Sequence, residues 1–144
     1  MLPPPTYQHM WYSLAGTKSL TFRLRACSDA RILLTQFLMI TDYNVLELVI
    51  GADSNMRSLI RQGIDGPLLA EQGTGNILRC SFSQWFWIDW SRGVSMGNGY
   101  QVGDSVFLSL ESMPIGFSGV NYFTIATGPG VDGDWDFSSV PGCV

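Results

Sequence analysis

Between Lys18 and Cys27 the chain alternates cleanly. Leu20, Phe22, Leu24 and Ala26 fall on one side, and Thr21, Arg23 and Arg25 on the other. A two-residue period is that of a half-buried β-strand, whose successive side chains point to opposite faces. Asn76–Phe82 repeats the pattern, with Leu78, Cys80 and Phe82 inward and Arg79 and Ser81 outward. Shorter apolar runs follow at Ile32–Phe37, Val45–Ile50, Trp85–Trp90, Val106–Leu110 and Tyr122–Ala126, most of them separated by Gly, Pro, Asn or Asp. No long helical period competes with them; Met56–Gln62 fits one helical turn or a strand. Short strands at this spacing predict an all-β fold, an antiparallel β-sandwich of jelly-roll-like form.

Size and composition agree. The 144 residues suit a single domain, large enough to bury one core without staples. Charged residues are only 14% and hydrophobic ones 46%, the reverse of a disordered chain. A single lysine, 16 glycines and 12% aromatics favour strands and tight turns over helices. The expected layout is an N-terminal arm with a first edge segment over 1–17, the sandwich over 18–137 and a tail over 138–144. A net charge of −4 speaks against nucleic acid as a partner. No apolar run is long enough to span a bilayer, so no membrane insertion is expected.

Met1-Leu2-Pro3-Pro4-Pro5 has neither the basic nor the apolar region of a signal peptide. The chain is then cytosolic, or a mature extracellular form whose leader is gone; the second is the expectation adopted. Cys27, Cys80 and Cys143 show no metal or redox spacing. Cys27 and Cys80 sit in alternating apolar runs and are taken as buried thiols in preference to a mutual disulfide. Cys143 can pair with either of them or bridge two chains.

Enzymatic signals are weak. Glu71-Gln72-Gly73-Thr74-Gly75 has the look of a glycine-rich cofactor loop. But it runs into an alternating segment instead of a helix, and Leu78 stands where a third glycine belongs; a hairpin turn is expected. Asp132-Gly133-Asp134-Trp135-Asp136 has carboxylates at alternate positions, yet Phe137 and Cys143 occupy the Gly and Glu positions of a calcium loop, so a solvated acidic turn is expected. His9 is the sole histidine, and there is no nucleophile elbow. No carboxylate pair stands out for glycoside hydrolysis. Catalytic residues, metal and cofactor are therefore all expected to be absent.

Trp85-Phe86-Trp87-Ile88-Asp89-Trp90 is the most unusual segment. On a strand, Trp85, Trp87 and Asp89 share one face, and Phe86, Ile88 and Trp90 the other. One face fills the core, and Trp87 or Trp90 is the indole expected at a surface groove. An exposed indole is an apolar platform on which the C–H face of a sugar can stack, with polar side chains taking the hydroxyls.

Three blocks resemble a known family. Tyr43-Asn44-Val45-Leu46-Glu47-Leu48-Val49-Ile50-Gly51, with Asn55, Ser58, Ile60 and Arg61, is similar to the first signature of the farnesoic acid O-methyltransferase-like domain. Phe86-Trp87-Ile88-Asp89-Trp90-Ser91-Arg92-Gly93-Val94-Ser95-Met96-Gly97 resembles the second, with Met96 in place of the usual Val. Phe123-Thr124-Ile125-Ala126-Thr127-Gly128 and Gly133-Asp134-Trp135 resemble the closing one. The resemblance covers about 20–135. Its name implies methyl transfer from S-adenosylmethionine; its occurrence in secreted and multidomain animal proteins implies recognition or adhesion. Among the shared residues, Gly51, Gly97 and Gly133 are expected at turns of positive φ. Glu47 and Arg61 are expected to pair across strands, and Asn55 to form an Asx turn.

The expected function is a non-enzymatic carbohydrate-binding module, a small lectin. Its contacts are assigned to Asp53, Asn55 and Arg57 in one loop, Trp90, Arg92, Asn98 and Tyr100 in the next, and Asp134 and Trp135 in the last. Glycans are the partner, and multivalency makes a homo-oligomer the natural form. The alternatives are the methyltransferase that the family name implies, or a structural protein–protein interaction domain.

Overall fold

The computed structural model describes residues 11–41, 44–114, 117, 119–127 and 133–137. The strands are β1 (Tyr12–Ser13), β2 (Ser19–Ala26), β3 (Ala30–Thr35), β4 (Val45–Gly51), β5 (Arg57–Gln62), β6 (Leu68–Gly73), β7 (Gln84–Asp89), β8 (Val94–Asn98), β9 (Val106–Leu110), β10 (Tyr122–Thr127) and β11 (Gly133–Asp136). One helical turn, α1 (Ala52–Asn55), joins β4 to β5. They form two antiparallel sheets, ordered β1-β10-β3-β4-β5-β6 and β11-β2-β7-β8-β9. The molecule is an all-β sandwich, as the alternation predicts.

Leu20, Phe22, Leu24 and Ala26 of β2 all point into the core, as their spacing requires. They meet Ile32 and Leu34 of β3, Leu46, Leu48 and Ile50 of β4, Phe86 and Ile88 of β7, and Phe123 and Ile125 of β10. β1 lies in the stretch assigned to the arm and first edge segment; it pairs with β10, and Leu14 just beyond it is buried.

Three sequence expectations fail in the same place. Asn76–Phe82 is not a strand: residues 74–83 form a loop. The neighbouring strand is instead β6, an exposed edge that pairs with β5 and takes in Glu71–Gly73, where a hairpin turn was expected. Edge strands carry little burial, so their alternation is faint. Cys27 and Cys80 are not buried thiols but a surface disulfide, with Cα atoms 4.4 Å apart. The bridge ties the 74–83 loop to the end of β2, and the apolar pattern around Cys80 comes from that crosslink and from Leu78, which reaches the core.

Gly51 has φ 74°, as expected of a turn glycine. Gly97 does not sit at a positive φ. It lies in β8 beneath the Trp87 indole, where an added Cβ would fall 2.3 Å from the ring. Gly133 opens β11 opposite Ala26 instead of making a turn. Asn55, at φ 67°, does more than turn the chain. Its Nδ2 donates to Leu78 O at 2.9 Å, and its Oδ1 accepts the Leu78 N–H at 3.0 Å. Glu47 and Arg61 stand opposite each other in register. The buried Glu47 carboxylate also meets Arg31 at 3.4 Å and accepts the Asp65 N–H at 3.1 Å, while Arg61 donates to Gly66 O.

Asp29, at φ 50°, follows the disulfide in the β2–β3 turn. Burial raises its pKa above the usual 3.8, against the pull of Arg31, and Asp53 raises it further. A carboxyl whose native pKa is raised binds its proton more tightly folded than unfolded, so the fold loses stability as pH climbs from the ordinary aspartate range through the native value. Asn carries no charge and tolerates left-handed φ. Asp29→Asn is therefore expected to melt above the wild type at pH 7, with the gap closing below pH 3.8. Equal melting temperatures at pH 7 and at acid pH would refute this.

Candidate functional site

The open face of the β11-β2-β7-β8-β9 sheet carries an aromatic and ionic cluster. Phe22, Leu24, Phe86 and Ile88 turn inward, so Arg23, Arg25, Trp85, Trp87 and Asp89 must turn outward. On β11, Trp135 stacks inward on Phe22 and Phe137, which leaves Asp134 and Asp136 outside. The antiparallel register sets Asp134 opposite Arg25 and Asp136 opposite Arg23. Their ion pairs close at 2.7 and 2.8 Å. Arg25 also donates to Cys80 O at 2.8 Å, coupling the ladder to the disulfide loop.

Trp85 is the exposed indole of this face, at 38%, and Tyr100 beside it is 71% exposed. Their rings meet edge to face with centroids 6.0 Å apart. The Arg23 guanidinium lies 5.6 Å from the Trp85 ring, within cation–π range. Solvated ion pairs of this kind contribute only about 0–1 kcal/mol each to stability. Their consequence is positional: Arg23 is held between Asp136 and Trp85, so the indole face has a fixed orientation and charged neighbours.

Trp87 shares that face yet is fully buried. The 99–105 loop folds over it, and its Nε1 donates to Asp104 O at 2.8 Å. Trp90, expected at a groove, is 6% exposed: it packs in the core with one edge in the wall of a cleft, and its Nε1 donates to Thr17 O. Of the three indoles in 85–90 the exposed one is Trp85, which sequence reasoning placed on the right face but did not select. Arg23, Arg25 and Asp136 were missed as well, though the alternation of β2 puts both arginines opposite the core.

The nine assigned contacts do not converge. Asp53, Asn55 and Arg57 lie at the end of the sandwich where β4 meets β5. Arg57 binds Asp53 and Glu71, and hydrogen bonding to Asp53 raises the guanidinium pKa. Asn55 is committed to Leu78. Tyr100 and Asp134 join the aromatic and ionic face. Asn98 stands opposite Phe86, on the core side of β8. Trp90 and Arg92 follow β7 at the opposite end, where Asp89 pairs with Ser95. Arg92 lines a shallow groove of about 580 Å³ with Ser95, Ser109 and Glu111. Trp135 is packed against Phe22. Loops adjacent in sequence alternate between the ends of an antiparallel sandwich, which is why contacts drawn from successive loops separate.

Of the acidic segment, Asp134 and Asp136 are strand residues paired to arginine; Asp132 lies outside the described residues, as do His9 and Cys143. No group of three or more His, Cys, Asp or Glu is placed to hold a metal among the described residues. No helix among them is long and apolar enough to cross a membrane.

The fold and this face define the class: a two-sheet β domain bearing an aromatic surface cluster. The chain belongs to the farnesoic acid O-methyl transferase family, whose sequence pattern matches residues 5–140. The resemblance drawn from its three motif blocks thus holds. "Uncharacterized protein 5" of Haliotis asinina is 37% identical over 90 residues, 62% of this chain and 51% of that relative. The chain spans about half the length of this relative. No solved structure matches it.

Proposed function

We propose that the domain is a non-enzymatic carbohydrate-binding module whose ligand lies along the open face at Trp85 and Tyr100. The observation that carries this reading is the exposed Trp85–Tyr100 pair, held edge to face and flanked by Arg23, Arg25 and Asp134. The Trp85 ring supplies a stacking platform; the guanidinium groups donate to hydroxyls, and the Asp134 carboxylate accepts from them. Cys27–Cys80 supports an oxidising, extracellular setting. A module with one shallow platform gains strength by multivalency, so a homo-oligomer belongs to the proposal.

A broad glycan array with free-sugar competition tests it. Wild type binds a competable glycan class, and Trp85→Ala lowers affinity about tenfold or more, as expected for loss of a central aromatic anchor. Tyr100→Ala has a smaller effect, and Trp90→Phe none. A blank array from folded protein, or binding indifferent to Trp85, would defeat the proposal. The family's description favours a second reading, methyl transfer from S-adenosylmethionine. A thermal shift or binding heat with that cofactor would support it; neither is expected of a chain whose glycine-rich segment ends an edge strand and opens no helix. A protein partner insensitive to free sugars would point to the structural interaction domain.

A further inference from the structure

At the end of the sandwich away from Asp53 and Tyr100, the β3–β4 loop exposes four consecutive apolar side chains. Phe37 is 55% exposed, Leu38 47%, Met39 81% and Ile40 39%. Ile64 is exposed in the adjoining 63–67 loop, which bonds to the first residue of β4 through Gly63 N–H and Val45 O. The segment Gln36–Thr41 contains no charged residue; Asp42 lies outside the described residues. Scattered apolar residues on a surface are ordinary, but a contiguous protruding set marks a contact site.

Part of the backbone beneath these side chains is hydrogen-bonded within the protein. Asn121 Nδ2 donates to Gln36 O at 3.1 Å, and the Thr35 hydroxyl lies 2.7 Å from Phe37 O. Asn44 Nδ2 donates to Met39 O, while its Oδ1 accepts the Thr41 N–H, both at 2.8 Å. A loop entering an apolar medium needs this, because water no longer serves its polar groups there.

Beside the loop lies a cleft of about 610 Å³ lined by Thr17, Lys18, Gln36, Ser91 and Asn121, with Trp90 in its wall. Lys18 is the only charged residue of that lining, is exposed, and makes no ion pair among the described residues. On a chain of net charge −4, this end therefore presents, among the described residues, a cation without an ion pair next to an apolar tip.

The geometry points to peripheral docking of this end on a phospholipid surface. Phe37, Leu38, Met39 and Ile40 enter the boundary between headgroups and acyl chains, and Lys18 and its polar cleft take an anionic headgroup phosphate. Apolar burial and attraction to anionic lipid are the two components of interfacial binding. The occupant is a bilayer and not a second copy, because the cleft beside the apolar side chains is polar and its charged residue is a cation. The expectation of no membrane insertion rested on the lack of a spanning run; a loop held at the interface spans nothing.

Co-sedimentation of the full chain with phosphatidylcholine vesicles, with and without phosphatidylserine, tests this. Wild type sediments with the anionic vesicles and less with the neutral ones. Leu38→Asp/Met39→Asp lowers partitioning about tenfold or more on both, and Lys18→Glu lowers it about fivefold on anionic vesicles only. The variants' melting curves confirm that they fold, and Trp85→Ala sediments as wild type, which separates this surface from the glycan face. Wild type staying in the supernatant, or sedimentation untouched by both variants, would overturn the inference. So would light scattering that shows a dimer abolished by Leu38→Asp/Met39→Asp while vesicles bind nothing.

Discussion

Removing the Cys27–Cys80 bridge is expected to cost about 4 kcal/mol, the chain-entropy value for a closed loop of this size. The partners are 53 residues apart in sequence, so the bridge restrains over a third of the unfolded chain. Roughly 10–15 °C of melting temperature should go with it. The native loop it secures is otherwise held lightly. Residues 74–83 contain no strand and rest on the buried Leu78 and its bonds to Asn55, on Arg25 bonded to Cys80 O, on the Ser58–Thr74 hydroxyl pair and on a few backbone bonds to the α1 turn. Scanning calorimetry of Cys27→Ser/Cys80→Ser, and of wild type with reductant, should agree. An unchanged melting temperature after confirmed reduction would refute the structural role. Loosening of this loop should also disorder the Arg25–Asp134 rung, so glycan affinity is expected to fall in the reduced protein.

Trp87→Ala should destabilise by about 3–5 kcal/mol, the range for deleting a fully buried large aromatic. The ring sits on the outer face, and three features bury it: the 99–105 loop above, the Asp104 carbonyl at its Nε1 and the bare backbone of Gly97 below. Gly97→Ala forces a carbon to 2.3 Å from a ring that has no flexible end to yield, and an overpacked site of this kind costs about 1–3 kcal/mol. In the Trp87→Ala background the added methyl has room, so the cost of Gly97→Ala should vanish or reverse. Urea unfolding of the four members of that cycle measures the coupling. Additive effects would mean that the ring and the glycine do not oppose each other. The same cycle bears on the proposed glycan face, because Tyr100 is carried by the loop that Trp87 anchors.

These two predictions share a property with the fold: each depends on a contact between segments distant in sequence. What a local pattern encodes was read correctly. The alternation of Lys18–Cys27 assigned every inward residue of β2, and the runs at Val45–Ile50 and Val106–Leu110 became β4 and β9 with little change at their ends. Where burial is partial the pattern misleads. β6 is an exposed edge and gave no signal, and Asn76–Phe82 alternated because one residue reaches the core and another is crosslinked, not because both sit on a sheet.

The candidate site divides in the same way. Period-two logic placed Trp85 outward and Phe86 inward, but it could not say which outward indole a loop would cover. Trp87 was covered and Trp85 was not, because the 99–105 loop bonds to Trp87 and Gly97 leaves space beneath it. Likewise, no local feature of Cys27 and Cys80 distinguishes two thiols from one bridge; that depended on β2 ending beside the loop that enters β7.

The sequence by itself determined the all-β class, the family and the inward face of most strands, since each follows from residues a few positions apart. Only the tertiary structure decided the disulfide, the exposed tryptophan and the scattering of the nine assigned contacts. Those depend on which strand ends meet, and in an antiparallel sandwich successive loops emerge at opposite ends.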